Sequence, residues 1–309
     1  MTIEGQSSNG TAAAVGEGTV LNARRATSAL PLAGLLVGAV MWGLTWWPLQ
    51  SLHALGIGGV PLTLVSYGAG GLLLALAAWW QRASWRGHQR ALGVILFIGG
   101  YTNLAYILAI VNGNPTRVML LFYLAPIWAL LGVRFFLGER LDAIRIIAVF
   151  VAVLGAFLVI GGPGVVRTPP SNVDLLAISS GFCYAMTNIA YRATTAVPVS
   201  TKNAAMFLGS VLIALALLPV IGQDIGTIPA AGWAWGALFG LIWLVTAVGM
   251  TQFGVTHLEA GRSAILLMLE VPITAVSAAL IAGARLTVME AIGGLLIMGA
   301  AMLEALRQR

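Results

Sequence analysis

The sequence predicts an all-α integral membrane protein with ten transmembrane helices, arranged as two inverted five-helix repeats around a central cavity. Three observations support this prediction. The 309 residues are 59% hydrophobic and only 8% charged, with a mean hydropathy of +0.94. Apolar windows of about 20 residues, the length that a helix needs to cross a bilayer, recur along the chain. One sequence pattern also occurs twice.

The composition excludes a water-soluble globular domain, because such domains carry about three times this share of charged residues. It also argues against a transmembrane barrel. Barrel strands alternate apolar and polar residues over about 10 positions, whereas these windows are apolar on all faces for about 20. We therefore predict that every membrane span is a helix.

The apolar windows fall into two groups of five. The first group covers residues 31–51, 60–80, 91–111, 116–137 and 143–161. The second group covers residues 173–194, 203–221, 233–256, 261–283 and 288–306. We predict a disordered cytoplasmic tail over residues 1–30, which lack the short apolar segment and cleavage site of a signal peptide. The repeats then occupy residues 31–161 and 173–306.

The repeated pattern is an arginine, an apolar run broken by a proline, and then Gly-x-Arg-Leu. The first copy contains Arg117, Pro126 and Gly138-Glu139-Arg140-Leu141. The second copy contains Arg262, Pro272 and Gly283-Ala284-Arg285-Leu286. The copies lie in the fourth and ninth predicted spans, and this offset of five, an odd number, inserts the second copy upside down. Inverted repeats of this kind are typical of transporters.

The distribution of basic residues predicts the orientation. If the N-terminus is cytoplasmic, only Arg117, Arg167 and Arg285 of the 16 Lys and Arg residues lie outside. This bias predicts a multi-pass protein of the cell inner membrane with both termini in the cytoplasm. The basic residues stand singly at the ends of apolar runs, so they do not indicate a nucleic-acid partner. The expected partners are the lipid bilayer and a small-molecule substrate, and we expect a monomer.

No constellation in the sequence indicates an enzyme. Cys183 is the single cysteine, and His53, His88 and His257 are dispersed, so neither a metal site nor a disulfide is expected. Catalytic triads, paired carboxylates and phosphate-binding loops do not occur at any one predicted depth. We expect no catalytic residues, no metal and no cofactor.

Two predicted helices carry a polar and aromatic face. On the sixth helix it consists of Tyr184, Thr187, Asn188 and Tyr191, at positions i, i+3, i+4 and i+7. On the first helix it consists of Trp42, Thr45 and Trp46. An amide facing lipid would have no hydrogen-bond partner, so both faces should point into the bundle. They are candidates for binding substrate, with contact between helices as the alternative.

Glu270 is the only carboxylate predicted near the middle of the membrane. A charge at that depth costs at least about 3 kcal/mol, so the side chain should face protein or water and be able to hold a proton. It shares a predicted face with Ser263, Thr274 and Ser277. Glu270 is therefore a candidate for pairing with a substrate ammonium or for proton coupling. The alternative is a protonated side chain that bonds to a neighbouring helix.

The remaining candidates lie on the third, fourth, eighth and ninth predicted helices. The further substrate-binding candidates are Asn103, Tyr106, Tyr123, Thr251 and Gln252, each of which could instead be structural. Pro126 and Pro272 interrupt helical hydrogen bonding, so each is either a static kink or a gating hinge.

These motifs resemble the drug/metabolite transporter superfamily, and within it the EamA-type branch. The resemblance rests on Trp42-Gly43-Leu44-Thr45 and Tyr184-Ala185-Met186-Thr187 in equivalent helices, and on Gly138-Glu139-Arg140-Leu141 after Pro126. The second copy departs from the family pattern, because Ala284 replaces the glutamate. The resemblance covers residues 31–306, essentially everything outside the tail.

The run Trp42-Gly43-Leu44-Thr45-Trp46-Trp47-Pro48 and the Tyr- and Asn-bearing third helix look most like YddG-type aromatic amino-acid exporters. The resemblance implies alternating access around a cavity lined by helices 1, 3, 4, 6, 8 and 9. It further implies export of amino acids, including aromatic ones, across the cytoplasmic membrane. The alternative is a multidrug or lipophilic-cation exporter of the same fold, because aromatic walls also suit such cations.

Overall fold

The computed structural model describes residues 29–113, 115–138, 142–163, 169, 171–221, 225–283 and 285–306. Helices and the turns that connect them make up this part of the chain, and no strand occurs within it. Nearly all of the predicted tail, as well as residues 139–141 and Ala284 of the Gly-x-Arg-Leu elements, lie outside the described residues.

Among the described residues, ten helices are long and apolar enough to cross a membrane, which confirms the predicted fold class. They are α1 (Ala29–Ala54), α2 (Gly59–Trp80), α3 (Gln89–Ile110), α4 (Arg117–Leu137), α5 (Ala143–Ile160), α6 (Asn172–Ala193), α7 (Val199–Val220), α8 (Ala230–His257), α9 (Ala260–Ala282) and α10 (Val288–Leu306).

The predicted start of α7 at residue 203 is too late, because the helix begins at Val199. The polar residues before 203 are buried instead of marking the membrane boundary. The Lys202 Nζ atom donates to the carbonyl oxygens of Tyr191, at 2.9 Å, and Thr194, at 3.2 Å. These carbonyls lie at the C-terminal end of α6, where a cation is favoured. Lys202 thereby joins the start of α7 to the end of α6.

The helices pack with the symmetry expected of two equivalent halves. α5 packs against α10, α2 against α7, and α4 against α9. The contact of α3 with α6 corresponds to that of α8 with α1, where Gly34 lies against the backbone of Met250, and both contacts join the two halves. Equivalent helices are five apart in chain order. Because five is odd, they cross the membrane in opposite directions.

Two tight helix crossings show this symmetry at residue level. In one, Gly240 of α8 lies against the backbone of Ser66 in α2. In the other, Gly209 of α7 lies against the backbone of Leu96 in α3. Both α3 and α8 widen there into a π-helical turn, at Ile95–Gly99 and Phe239–Leu244. Glycine permits the close approach of the two backbones. In the first crossing it lies on the helix with the π-helical turn, and in the second it lies on the partner of that helix.

A buried ion cluster joins α5, α10 and the start of α9. The Arg145 guanidinium donates to Glu304 Oε1 through Nη2 at 3.0 Å and through Nε at 3.1 Å, and it also pairs with Glu259. Arg145 is 4% exposed and Glu304 is 1% exposed. Burial of this kind is tolerated only when each charge keeps its counter-ion.

The crossing at Gly240 leads to a stability prediction. We expect Gly240→Ala to lower the thermal midpoint of the detergent-purified protein, because the added methyl group overlaps the Ser66 backbone and overpacking costs about 1–3 kcal/mol. The matched control is Gly249→Ala in the same helix, where an added methyl group meets nothing within 4 Å. Equal midpoints for the two variants would show that the crossing is looser than described.

The ion cluster leads to a second stability prediction. Arg145→Met should destabilise the protein by about 3–5 kcal/mol, because it leaves the Glu304 carboxylate buried without the guanidinium. Adding Glu304→Gln should recover part of that loss, as measured by thermal unfolding of the single and double variants. Arg134→Met, at an exposed arginine, is the control and should have little effect. Strictly additive losses would argue against the pairing.

Candidate functional site

The α4 and α9 helices are both interrupted near their middle. In α4 the interruption lies at Tyr123 and Leu124, before the helical segment Ala125–Gly132. In α9 it lies at Met268 and Leu269, before the segment Glu270–Ala282. Pro126 and Pro272 each occupy the first turn of the segment that follows the interruption. Proline is tolerated there because the amide groups of a first turn have no helical acceptor.

A hydrogen bond joins the two interruptions. The Tyr123 hydroxyl donates to Glu270 Oε1 at 2.8 Å. Glu270 is the first residue of its helical segment, where the amide dipoles favour an anion. The mid-membrane carboxylate therefore has a partner inside the bundle, supplied by the other repeat.

A cavity of about 30 Å³ lies beside this hydrogen bond, between α4, α6 and α9. We call it the acidic cavity. Its lining residues are Phe122, Tyr123, Ala125, Pro126, Ala129, Tyr184, Ala185, Asn188, Ala264, Leu267, Met268 and Glu270. Among the described residues that line either of the two cavities of this region, Glu270 is the one charged side chain.

Aromatic rings form one wall of the acidic cavity. The Phe122 ring centroid lies 5.3 Å from that of Tyr184 and 5.8 Å from that of Tyr123. Tyr106 of α3 packs behind Phe122, with the ring centroids 4.9 Å apart. The site therefore combines one carboxylate with ring faces, which attract cations and also accommodate apolar groups.

A second cavity, of about 40 Å³, lies on the other side of Tyr184 and is called the amide cavity below. It is lined by Trp42, Gly99, Thr102, Asn103, Tyr184, Thr187, Met206, Val248, Thr251 and Gln252. The Trp42 indole donates to Thr251 Oγ1 at 3.1 Å. The Asn103 amide donates to Ser210 Oγ at 3.0 Å. These bonds join α1 to α8 and α3 to α7.

Three side chains separate the two cavities. Tyr184 lines both of them, and Gln252 Nε2 donates to Asn188 Oδ1 at 3.1 Å. Asn188 lines the acidic cavity and Gln252 lines the amide cavity. Each cavity has room for about two or three water molecules. A larger molecule can therefore enter only if the helices around this barrier move apart.

The structure brings most of the predicted site residues together. Tyr123, Tyr184, Asn188 and Glu270 line the acidic cavity, as does the proposed hinge residue Pro126. Trp42, Asn103, Thr187, Thr251 and Gln252 line the amide cavity together with Tyr184.

Other predicted site residues lie in contacts between helices, outside the lining of both cavities. Thr45 Oγ1 accepts a hydrogen bond from the Trp243 indole at 2.9 Å. The Trp46 indole donates to Ser277 Oγ at 2.9 Å. Thr45 and Trp46 thus attach α1 to α8 and α9 in this conformation. Tyr106 packs against Phe122, which lines the acidic cavity. Pro272 is buried in α9, where it lies against Gly294 of α10.

The sequence analysis did not identify the apolar part of the lining. Phe122, Met206 and Val248 contribute to the cavity walls, but in sequence they are indistinguishable from core residues. Phe122 had one available signal, because it stands beside Tyr123 and one helical turn before Pro126.

Residues 30–161 match the EamA-like transporter family, and residues 171–305 match the same family a second time. The chain belongs to the EamA-like transporter family. It is therefore a multi-pass membrane protein that transports small molecules, and its family consists of transporters and not enzymes. The double match assigns one copy of the family domain to each half of this EamA-like transporter.

The fold of the transporter is similar to that of a solved structure whose title reads only "Crystal structure of protein". The two have 18% sequence identity and a TM-score of 0.74, over 89% of this chain and 98% of the other. At this identity the similarity demonstrates a shared fold and nothing about substrate. No curated protein matches the sequence.

The position of the acidic cavity can be tested by labelling. In a Cys183→Ser background, which has no cysteine, Ala264→Cys should react with a small charged thiol reagent if the acidic cavity is the part of the bundle that opens to water. Leu280→Cys is the control, on the same helix but 82% exposed on the outer face of the bundle, where lipid excludes the reagent. Labelling would be followed by mass spectrometry of protein in liposomes. Faster labelling at position 280 would contradict this assignment.

Proposed function

We propose that this EamA-like transporter exports amino acids, aromatic ones among them, by alternating access across the cytoplasmic membrane. In this proposal both termini lie in the cytoplasm, and the protein works as a monomer in the inner membrane. The observation that supports the amino-acid assignment is the carboxylate of Glu270 beside a wall of aromatic rings.

The carboxylate suits the ammonium group of an amino acid. Glu270 is bonded to the neutral Tyr123 hydroxyl, and a charge-assisted bond to an ammonium is about twice as strong as a neutral one. An entering ammonium can therefore displace the hydroxyl. The rings of Phe122 and Tyr184 then offer a surface for the ammonium or for an aromatic side chain.

The same carboxylate can couple export to proton entry. A proton and a substrate ammonium compete for one group, because a protonated carboxyl has no charge with which to pair an ammonium. Release of the substrate outside would then leave the carboxylate open to a proton, and release of the proton inside would restore its affinity. We propose Glu270 as this exchange site, with Pro126 and Pro272 as the hinges that let α4 and α9 move.

Export of a lipophilic cation is the second candidate. It is favoured by the wall of three rings, Phe122, Tyr123 and Tyr184, and by the lack of Lys and Arg among the described residues lining either cavity. A cation without a carboxylate needs no basic partner. The polar groups of the acidic cavity favour the amino acid, because Asn188 and the tyrosine hydroxyls can hydrogen-bond its carboxylate.

Transport into liposomes distinguishes the two candidates. Radiolabelled tryptophan, phenylalanine and threonine should enter liposomes that contain the purified protein faster than they enter protein-free liposomes. A proton gradient directed opposite to the movement of the amino acid should accelerate this entry. Movement of tetraphenylphosphonium without any amino acid would overturn the proposal in favour of the cation exporter.

Replacing the carboxylate tests its role in coupling. Glu270→Gln should abolish the acceleration by a proton gradient and should lower amino-acid transport by at least about tenfold, because the ammonium loses its counter-ion. Glu290→Gln is the control, since this carboxylate caps the start of α10 outside both cavities. Normal proton-driven transport by the Glu270→Gln variant would remove this residue from the mechanism.

A further inference from the structure

The side-chain carbonyl oxygen of Gln252 accepts no hydrogen bond within the protein. Gln252 is 3% exposed, and its Oε1 atom is buried with no hydrogen-bond partner. The Nε2 atom of the same amide is already used in the bond to Asn188. A buried acceptor without a partner is unfavourable, and native structures contain few of them. This one belongs to a residue that lines the amide cavity.

Four other polar side chains around the amide cavity donate hydrogen bonds to groups of the protein. Trp42 donates to Thr251, and the Asn103 amide donates to Ser210. The hydroxyls of Thr102 and Thr187 donate to main-chain carbonyls of their own helices. The group left without a partner is therefore an acceptor. That acceptor suits an N–H or O–H group of a substrate.

We propose that Gln252 Oε1 accepts a hydrogen bond from the side chain of the transported amino acid, so that the carrier selects substrates whose side chains donate one. This inference rests on the proposed function and concerns which amino-acid side chains the same site prefers. The donor would be an indole N–H, a phenol or an aliphatic hydroxyl.

The arrangement of the two cavities supports this orientation of the substrate. They adjoin at Tyr184, with the single carboxylate in one and the unpaired acceptor in the other. An amino acid whose ammonium pairs with Glu270 would keep its carboxylate in the acidic cavity, near Asn188. Its side chain would then pass Tyr184 into the amide cavity when the helices move apart.

Pairs of substrates that differ only in the donor measure this selectivity. Tyrosine and phenylalanine differ by a phenol hydroxyl, and threonine and valine are nearly isosteric. A site that accepts a hydrogen bond from a substrate hydroxyl discriminates against an analogue without that hydroxyl, because the buried acceptor is then left without a donor. We expect the wild-type protein in liposomes to transport tyrosine and threonine at least about tenfold more efficiently than phenylalanine and valine, as kcat/KM.

The test variant is Gln252→Met, which keeps the length of the side chain and removes its carbonyl. The ratio between the two members of each pair should fall close to one. Asn188→Ala is the matched control, because it breaks the same bond between Asn188 and Gln252 but leaves Gln252 Oε1 in place. It should slow all four amino acids alike and preserve the ratios.

The outcomes are distinguishable. Equal transport within each pair by the wild-type protein, or unchanged ratios in Gln252→Met, would overturn the inference and leave amino-acid export standing. Transport of no amino acid would overturn the proposed function itself. If Gln252→Met does not fold, thermal unfolding of the wild-type protein in detergent supplies the readout. The concentration of tyrosine that raises the thermal midpoint by a given amount should then be at least about tenfold lower than the concentration of phenylalanine that does so. If the two amino acids need the same concentration, the inference is rejected.

Discussion

The hydrogen bond from Tyr123 to Glu270 is the interaction on which the site depends. A carboxylate in the middle of a membrane is costly unless protein or water supplies it with a partner, and here the protein supplies the Tyr123 hydroxyl. That partner stands on the equivalent helix of the other repeat, at the equivalent interruption. The bond therefore places the interruptions of α4 and α9 against each other, and the acidic cavity is the space beside them. The same constraint explains why the indoles of Trp42, Trp46 and Trp243 bond to hydroxyls on neighbouring helices.

Two-fold symmetry organises the helices, and departures from it concentrate in the site. The equivalent helices pack alike, and even the π-helical turns of α3 and α8 occur at matching positions. The acid, in contrast, occurs once, and Ala125 is the first residue of the matching segment in the first repeat. Such an arrangement suits a carrier. Symmetric halves supply two related conformations, while a single carboxylate supplies one binding point that both conformations share.

The two cavities offer a substrate different groups. One supplies a carboxylate and ring faces, and the other supplies an unpaired carbonyl among hydroxyls and an indole that already have partners. Tyr184 and the bond between Asn188 and Gln252 lie between them, so the groups that would recognise substrate also close the path in this conformation. Binding and opening are in this view the same event, because a substrate that spans both cavities has to replace the contacts of the barrier.

The sequence alone determined the class of the protein, the number of helices, the repeat and most of the polar candidates. It could do so because the bilayer imposes a length on apolar runs and forbids unpaired polar groups in lipid. Only the tertiary structure separated Tyr123 and Asn188, which line a cavity, from Thr45 and Trp46, which join helices. Both kinds of residue keep their polar groups away from lipid, because a side chain on an inward face can bond either to a neighbouring helix or to a group in the cavity. Which of them faces open space depends on where helices from the two repeats meet, and no local pattern contains that information.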